Sequence, residues 1–387
     1  MRVLLAFDKF KDSLTAREAC TTAATALGER HGDWTIDACP LSDGGEGFSE
    51  ILTAAVGGQI VPTSVTGPRL RPAASAIGVV ALARIPRAAH AFLPPLAFTD
   101  GSSPTVAVID MASASGLALL ADAERDPWAT TTVGTGELIR HAARQGVSAI
   151  LLGVGGSATH DLGLGALAAL GISFHASGVG PVFPPVPARW NEINRIEGRI
   201  APALPPIRIA CDVSNPLLGP RGAAATYGPQ KGLRPADLPR LDGESGRLAQ
   251  MLCAHCGQPD SLMVVPGAGA AGGISFGLMT AADAQLIPGF DLVSAWLDLE
   301  ARLAAADLVI TGEGRFDDSS LDGKGPGAVA ARALALGKKV HVFAGRATAT
   351  RPPANLAVHS ITPEGVPLDQ ALRDAALYLA RSVHAAF

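Results

Sequence analysis

Short apolar runs that stop at glycine-rich or acidic segments set the strongest limit on how this chain can fold. Val3–Phe7, Ile36–Cys39, Ala107–Ile109, Ala149–Val154, Ile207–Val213, Leu262–Val265, Leu308–Ile310 and Val340–Phe343 read as buried strands. Many precede glycine-rich turns and Ala/Leu-rich stretches of helical character. Thr15 and Glu18 open one such stretch as a capping box, and Gly28 closes it. Glu137–Arg144 is another, ended by Gly146 and followed at once by the run at 149–154. Strands alternating with helices predict βα units, a mainly parallel sheet and therefore an α/β fold. At 387 residues the chain exceeds the ~250–300 residues over which a single core grows, so two domains are expected.

Composition excludes several classes. Hydrophobic residues make up 48% and charged residues 17%, as in globular proteins. A net charge of −4 gives no support for nucleic-acid binding. No apolar run reaches the ~18 residues that would predict a membrane span, and MRVLLAFDKFKDS has neither the apolar core nor the cleavage site of a signal peptide. A cytoplasmic protein is expected, with scattered, odd-numbered cysteines that fit a reducing compartment. Cys253 and Cys256 form a lone CxxC, open to a zinc or redox reading or to the plain reading of a helix end closed by Gly257. The proline-rich PVFPPVPARW at 181–190 reads as a rigid surface excursion.

In parallel sheets, ligands sit beyond the carboxyl ends of the strands, so the chemistry is expected in the segments that follow the apolar runs. Asp8-Lys-Phe-Lys11-Asp-Ser13 follows the first. Ser42-Asp43-Gly44-Gly45-Glu46-Gly47 follows the second. Gly153-Val-Gly155-Gly156-Ser157-Ala-Thr159-His160-Asp161 follows the run at 149 and leads into a helical stretch ending at Gly171. Cys211-Asp212 and, beyond it, Tyr227 to Gly232 with Lys231 form a fourth. The fifth is "DLVITGEGRFDDSSLDGK", Asp307 to Lys324. Glycines at 155 and 156 let the backbone approach an anion, the N–H groups of a following helix start would bind it, and Ser157 and Thr159 add hydroxyls. A strand-to-helix turn also needs glycine for conformation alone, so both readings stay open.

Lysine placement narrows the choice. The chain has six lysines against twenty-five arginines, yet Lys9, Lys11, Lys231 and Lys324 all fall in these loops. A compact ammonium can follow a moving phosphoryl group in a way that arginine's planar fork does not. Aspartates 8, 43, 161, 212 and 317 lie near strand ends, where each could cap a helix. Taken together, carboxylates beside lysines and glycine loops are what phosphoryl transfer requires: Mg²⁺ ligands and a base for the acceptor hydroxyl. Lys11 and Lys324 are expected to stabilise the transferring group, with Asp161 as base and Asp8 as a further catalytic group. Gly44, Gly45, Gly155, Gly156, Ser157, Thr159, Lys231 and Arg315 are expected at substrate or phosphate. Asp43, Glu46, Glu313 and Asp317 are expected at the metal.

No Walker-type G-x-x-x-x-G-K-[ST] occurs. Gly267-Ala-Gly269-Ala-Ala-Gly272 matches GxGxxG after a strand-like run, with Asp291 further on, which keeps a dinucleotide-binding oxidoreductase as the rival reading. A non-catalytic anion-binding protein is the other alternative, disfavoured because so many carboxylates would burden an anion site.

"DKFKDSLTA", "LSDGGEGF", "GVGGSATHDLGLGALAALG", "CDVSNPLLGPRGAAATYGPQKG", "PGAGAAGGISFGL" and "DLVITGEGRFDDSSLDGK" occur in this order over nearly the whole chain. Together they resemble the bacterial type 1 glycerate kinase family. The resemblance implies phosphorylation of D-glycerate by ATP with Mg²⁺, normally to 2-phosphoglycerate, with 3-phosphoglycerate the lesser expectation. It also implies a flavodoxin-like domain built from residues 1–58 and 290–387. A second α/β domain, 59–289, would be inserted into it, with the active site in the cleft; a homodimer stays open. The departures are modest: Lys9 stands where serine is usual, His160 for asparagine, Leu162 for glycine, and Asp318-Ser319 for a glutamine-containing turn. None removes an acid, lysine or glycine that the mechanism needs.

Overall fold

The computed structural model describes residues 1–96, 103–317, 320, 325–348 and 353–387. Its strands are β1 Arg2–Phe7, β2 Thr35–Ala38, β3 Gln59–Thr66, β4 Pro72–Ala81, β5 Thr105–Asp110, β6 Ala149–Gly153, β7 Ile172–Ala176, β8 Val179–Pro181, β9 Arg195–Gly198, β10 Ile207–Ala210, β11 Gln285–Ile287, β12 Leu308–Phe316, β13 Lys339–Ala347 and β14 Leu356–Ser360. The chain divides into two α/β units, Met1–Asp43 with Val293–Phe387, and Gly44–Leu292. The second is thus inserted into the first.

The first unit holds a five-stranded sheet of order β14-β13-β12-β1-β2, in which every pairing is parallel. Counted along this unit alone, the strands lie in the order 2-1-3-4-5, which is the flavodoxin-like winding. β12 is central and β1 lies beside it, with Val3 to Phe7 fully buried. The helix Ala16–Gly28 packs on β1 and on the C-terminal helix Ala375–Ala386 through Ala16, Ala19, Cys20, Ala23, Ala26 and Leu27. That spacing is one face of a helix. Thr15 starts it: its Oγ1 accepts from the Glu18 N–H at 3.1 Å, and Glu18 Oε2 accepts from the Thr15 N–H at 2.8 Å. Such caps contribute about 1 kcal/mol.

The second unit holds a six-stranded sheet, β11-β10-β6-β5-β4-β3, parallel from β11 to β5 and antiparallel at β4 and β3. A small antiparallel sheet, β8-β7-β9, completes it. Residues 44–58 belong here rather than to the first unit, against the expected edge at 58. The helix Phe48–Ala55 packs on β4 and β5, and Ser49 Oγ donates to the Val108 carbonyl at 2.7 Å while accepting from the Gly78 N–H.

Three local expectations change. Leu262–Val265 is no strand; most of it lies in a 3₁₀ turn, Asp260–Val264, closed by packing of Met263 into the core. The glycine motif at 267–272 therefore follows no β-strand, and Ala271, Gly272 and Gly273 adopt positive φ inside the following helix. That removes the strand–turn–helix geometry a dinucleotide fingerprint needs. Cys253 and Cys256 follow the plain reading instead: they lie in the last turn of the helix Leu238–Cys256, and Gly257 closes it at φ +68°. The proline-rich stretch is not a surface excursion throughout: Phe183 is exposed, but Val182, Val186 and Trp190 are buried, and Trp190 Nε1 donates to the Pro185 carbonyl at 2.9 Å. Among the described residues no helix is long and apolar enough to cross a membrane.

Candidate active site

Three carboxylates of the first unit converge where β1 and β12 end. The Asp8 N–H donates to the Gly312 carbonyl at 3.0 Å, which carries the β1–β12 pairing past β1 and sets Asp8 beside Glu313. On the other side the β2 pairing also runs on, Cys39 N–H to Leu5 O and Leu41 N–H to Phe7 O, and so delivers Asp43. β1 and β12 lie on either side of the point where the winding reverses, the usual ligand crevice of this topology. Burial, then the Asp43 charge, pushes the Asp8 carboxyl up to about 8, with Glu313 adding to the rise. The Lys9 backbone N–H, 2.7 Å from Asp8 Oδ1, opposes this. Burial also lifts Glu313 to about 7, helped by Asp317 and Asp43 and resisted by a hydrogen bond from Ser320. Repulsion between like charges at this spacing is relieved by a proton or a cation.

Cations line the same end. Lys9 Nζ lies 4.0 Å from Asp43 Oδ1. Lys11 stands on the turn closed by the Phe10–Leu14 bridge and is exposed. Arg315, on β12, pairs with Asp317 at 3.3 Å. Lys324, Asp318 and Ser319 lie outside the described residues.

The second unit gathers the glycine loops. Gly155 N–H donates to the Gly44 carbonyl at 2.9 Å, and a Cβ on Gly155 would fall 2.6 Å from Gly45 Cα. The two loops therefore touch backbone to backbone, and glycine at 155 is required by that approach. Gly156 sits at φ +72°, with Glu46 Oε1 3.3 Å from where a Cβ would stand. Glu46 thus belongs with this loop. Among the described residues no three His, Cys, Asp or Glu side chains are placed to hold a metal ion.

Two expectations for this loop change. The next helix is Leu164–Ala169, so residues 155–159 are not its first turn and offer no helix-start N–H groups to an anion. Asp161 occupies that start instead. Its carboxylate accepts from Thr132 N–H at 2.7 Å, Thr132 Oγ1 at 2.9 Å, Thr131 Oγ1 at 3.3 Å, Gly163 N–H at 3.1 Å and Gly165 N–H at 3.2 Å. It is fully buried, and burial raises its pKa against the pull of those donors. With its oxygens so occupied, Asp161 organises the fold and is not placed to take a substrate proton. Lys231 is also sealed in: 1% exposed, its Nζ donates to Ser157 Oγ at 2.8 Å and to the Thr159 carbonyl at 2.6 Å. Burial drives its pKa down to about 7, with Asp161 holding it up. Burial and the same ammonium press neighbouring His160 to about 3. Lys231 thus braces the loop from behind. Among the described residues Thr159 Oγ1, which is buried, has no hydrogen-bond partner.

Sequence reasoning passed over Asp110, at the end of β5. It is buried and accepts from Gly47 N–H at 2.9 Å and Ala112 N–H at 2.8 Å, fixing the start of the Phe48 helix. Its signal was the same as for the other strand-end aspartates.

The family model described as the glycerate kinase family matches residues 3–387. A glycerate kinase of Bacillus subtilis is 36% identical, with 99% of this chain and 96% of that protein covered. A glycerate 2-kinase of Escherichia coli is 37% identical over 90% of this chain and 86% of its own. A crystal structure of a glycerate kinase 2 from Salmonella typhimurium superposes with a TM-score of 0.74 at 36% identity, covering 100% of this chain and 97% of that one. The flavodoxin-like sheet, the strand-end acids and these matches lead to one conclusion: the chain belongs to the glycerate kinase family.

Proposed function

We propose that this kinase transfers the γ-phosphoryl group of ATP to the 2-hydroxyl of D-glycerate, giving 2-phosphoglycerate. The carrying observation is the Asp8–Asp43–Glu313 group at the winding reversal, in which burial and then neighbouring charge hold Asp8 and Glu313 above the ordinary carboxylate range. Hard oxygen donors in surplus fit Mg²⁺, which takes one or two protein carboxylates and completes its shell with water and phosphate oxygens. Asp43 and Glu313 would hold it. Bound with the nucleotide, the ion would neutralise the phosphate charge. Asp8, pushed to about 8, is suited to accept the proton of the glycerate hydroxyl at its carboxylate, because a base works best with a pKa near the working pH. Lys11 and Arg315 supply positive charge that counts most as the phosphoryl group moves. The E. coli relative's name, glycerate 2-kinase, supports the 2-hydroxyl as acceptor.

The test is a reaction with ATP, Mg²⁺ and D-glycerate, in which enolase alone consumes 2-phosphoglycerate. Product that enolase uses only after a phosphoglycerate mutase is added would assign the 3-hydroxyl. Asp8→Asn and Glu313→Gln are then titrated separately with Mg²⁺ and glycerate. Glu313→Gln should raise the Mg²⁺ requirement, and Asp8→Asn should lower kcat at unchanged Mg²⁺ demand. The reverse pattern would exchange the two roles.

A further inference from the structure

Within the first unit a cavity of about 600 Å³ opens beyond the carboxyl ends of β12, β13 and β14. This is the size of pockets that bury a drug-sized ligand, and far larger than a three-carbon acid needs. Its walls are mixed: Phe10, Ile361, Val366 and Ala371 form an apolar part, and Ser360 and Glu364 are polar. Its floor carries two glycines on neighbouring strands, Gly314 and Gly345. A Cβ on Gly345 would come within 2.5 Å of the Gly314 carbonyl oxygen. Side chains are therefore excluded there, and the floor is bare backbone.

Charge enters at one end. Lys11 and Arg346 line the cavity. Arg346 is also the register partner of Arg315 across the parallel β12–β13 pair, so two guanidinium side chains leave the same face of adjacent strands. Arg315 is paired with Asp317 at 3.3 Å, so the cations that line the cavity and can meet an anion are Lys11 and Arg346. The segments that supply this end, Phe10-Lys11 and Gly314, continue directly from Asp8 and Glu313. A ligand filling the cavity thus has an apolar, flat-floored end and an anionic end that points toward the carboxylate group.

We infer that this cavity is the nucleotide site: the purine and ribose lie against Phe10, Ile361, Val366 and Ala371 over the Gly314–Gly345 floor, and the polyphosphate runs past Lys11 and Arg346 toward Asp8 and Glu313. The assignment rests on the kinase reading above, which calls for ATP but leaves its place in the molecule open. Thr362 lines the same cavity and is half-buried, so a large side chain there fills ligand space at little expense to the core.

The test uses wild-type protein irradiated with 8-azido-ATP, the labelled peptides being located by mass spectrometry with and without excess ATP. ATP-protected labelling within residues 361–375 or at Phe10-Lys11 is expected. In parallel, Thr362→Trp should raise the KM for ATP at least tenfold and weaken equilibrium binding of ADP equally, leaving the KM for glycerate within twofold and the melting temperature unchanged. Protected labelling in another segment, or none anywhere, overturns the assignment. So does a folded Thr362→Trp enzyme with unchanged ATP kinetics; if that variant fails to fold, the wild-type labelling map decides alone. Failure of the kinase reading looks different: protected labelling in the cavity of a protein that phosphorylates no glycerate would keep the nucleotide site and discard the acceptor.

Discussion

Replacing Lys231 by Met tests whether a buried ammonium braces the glycine loop. The substitution keeps the length and much of the volume of the stem and removes the charge. In the folded protein the pKa of Lys231 falls from 10.5 to about 7, chiefly through burial. The folded state therefore binds fewer protons than the unfolded chain between about pH 7 and 10.5. Stability rises with pH over that window and is lost again as pH falls through the folded value. The slope for one group approaches ~1.4 kcal/mol per pH unit, and over the whole window the cost of charging Lys231 accumulates to about 5 kcal/mol. Against this stands a loss that does not depend on pH: Met leaves Ser157 Oγ and the Thr159 carbonyl without their donor, at about 1–3 kcal/mol per group. The wild type should thus be the less stable protein near pH 7 and the more stable one toward pH 10. Urea unfolding of both proteins at half-unit steps from pH 7 to 9.5 reads the difference directly, because groups common to both cancel. Parallel stability profiles would refute the reasoning, since they would mean that Lys231 carries its charge freely in the folded state.

Asp8→Asn should raise the melting temperature of the ligand-free protein above pH 8, where Asp8 and Glu313 are both ionised, yet reduce turnover at least a hundredfold; scanning fluorimetry at pH 6 and 9 with a coupled assay checks both. The sign follows from a folded pKa raised above 3.8, whose stabilising effect is complete below that value and lost as pH climbs through about 8. Asp161→Asn brings an NH₂ against backbone and hydroxyl donors and should cost about 3 kcal/mol in urea unfolding; intact stability with collapsed kcat would restore Asp161 as the base. Gly155→Ala should lower stability by about 1–3 kcal/mol, because its Cβ meets backbone at Gly45; an unchanged melting temperature would show that the two loops yield.

The parallel strands were legible because their apolar runs end where glycine and aspartate begin, as at Phe7-Asp8 and Gly153. Leu262–Val265 has the same texture and became a 3₁₀ turn, since local pattern does not record that Met263 is drawn into a core built from distant helices. The discontinuity of the first unit came from the family resemblance, as nothing periodic in residues 1–43 announces a partner at 308. In the site, residue type pointed to strand-end chemistry, but burial sorted the members. Asp161 and Lys231 look as functional in sequence as Asp8 and Lys11, and only the structure shows the first pair enclosed and saturated while Lys11 remains exposed. The cavity was illegible for a related reason: the apolar part of its wall is made of ordinary core residues, and only the bare backbone at Gly314 and Gly345 makes it concave.

The pairing of β1 with β12 also governs the order in which the chain can assemble. Thr311 Oγ1 donates to the Ala6 carbonyl across 305 positions of sequence. On the ribosome, β1, β2 and their helix emerge early and stay without the strand that completes the sheet's centre, while residues 44–292 form a contiguous body able to fold as it emerges. That folding replaces a long flexible loop by a compact one and lowers the entropy to be overcome when β12 arrives. Until then the apolar face of β1 and one unpaired edge are open to other nascent chains. Premature termination between residues 292 and 308 therefore yields a folded second unit carrying an unfolded, adhesive N-terminal segment.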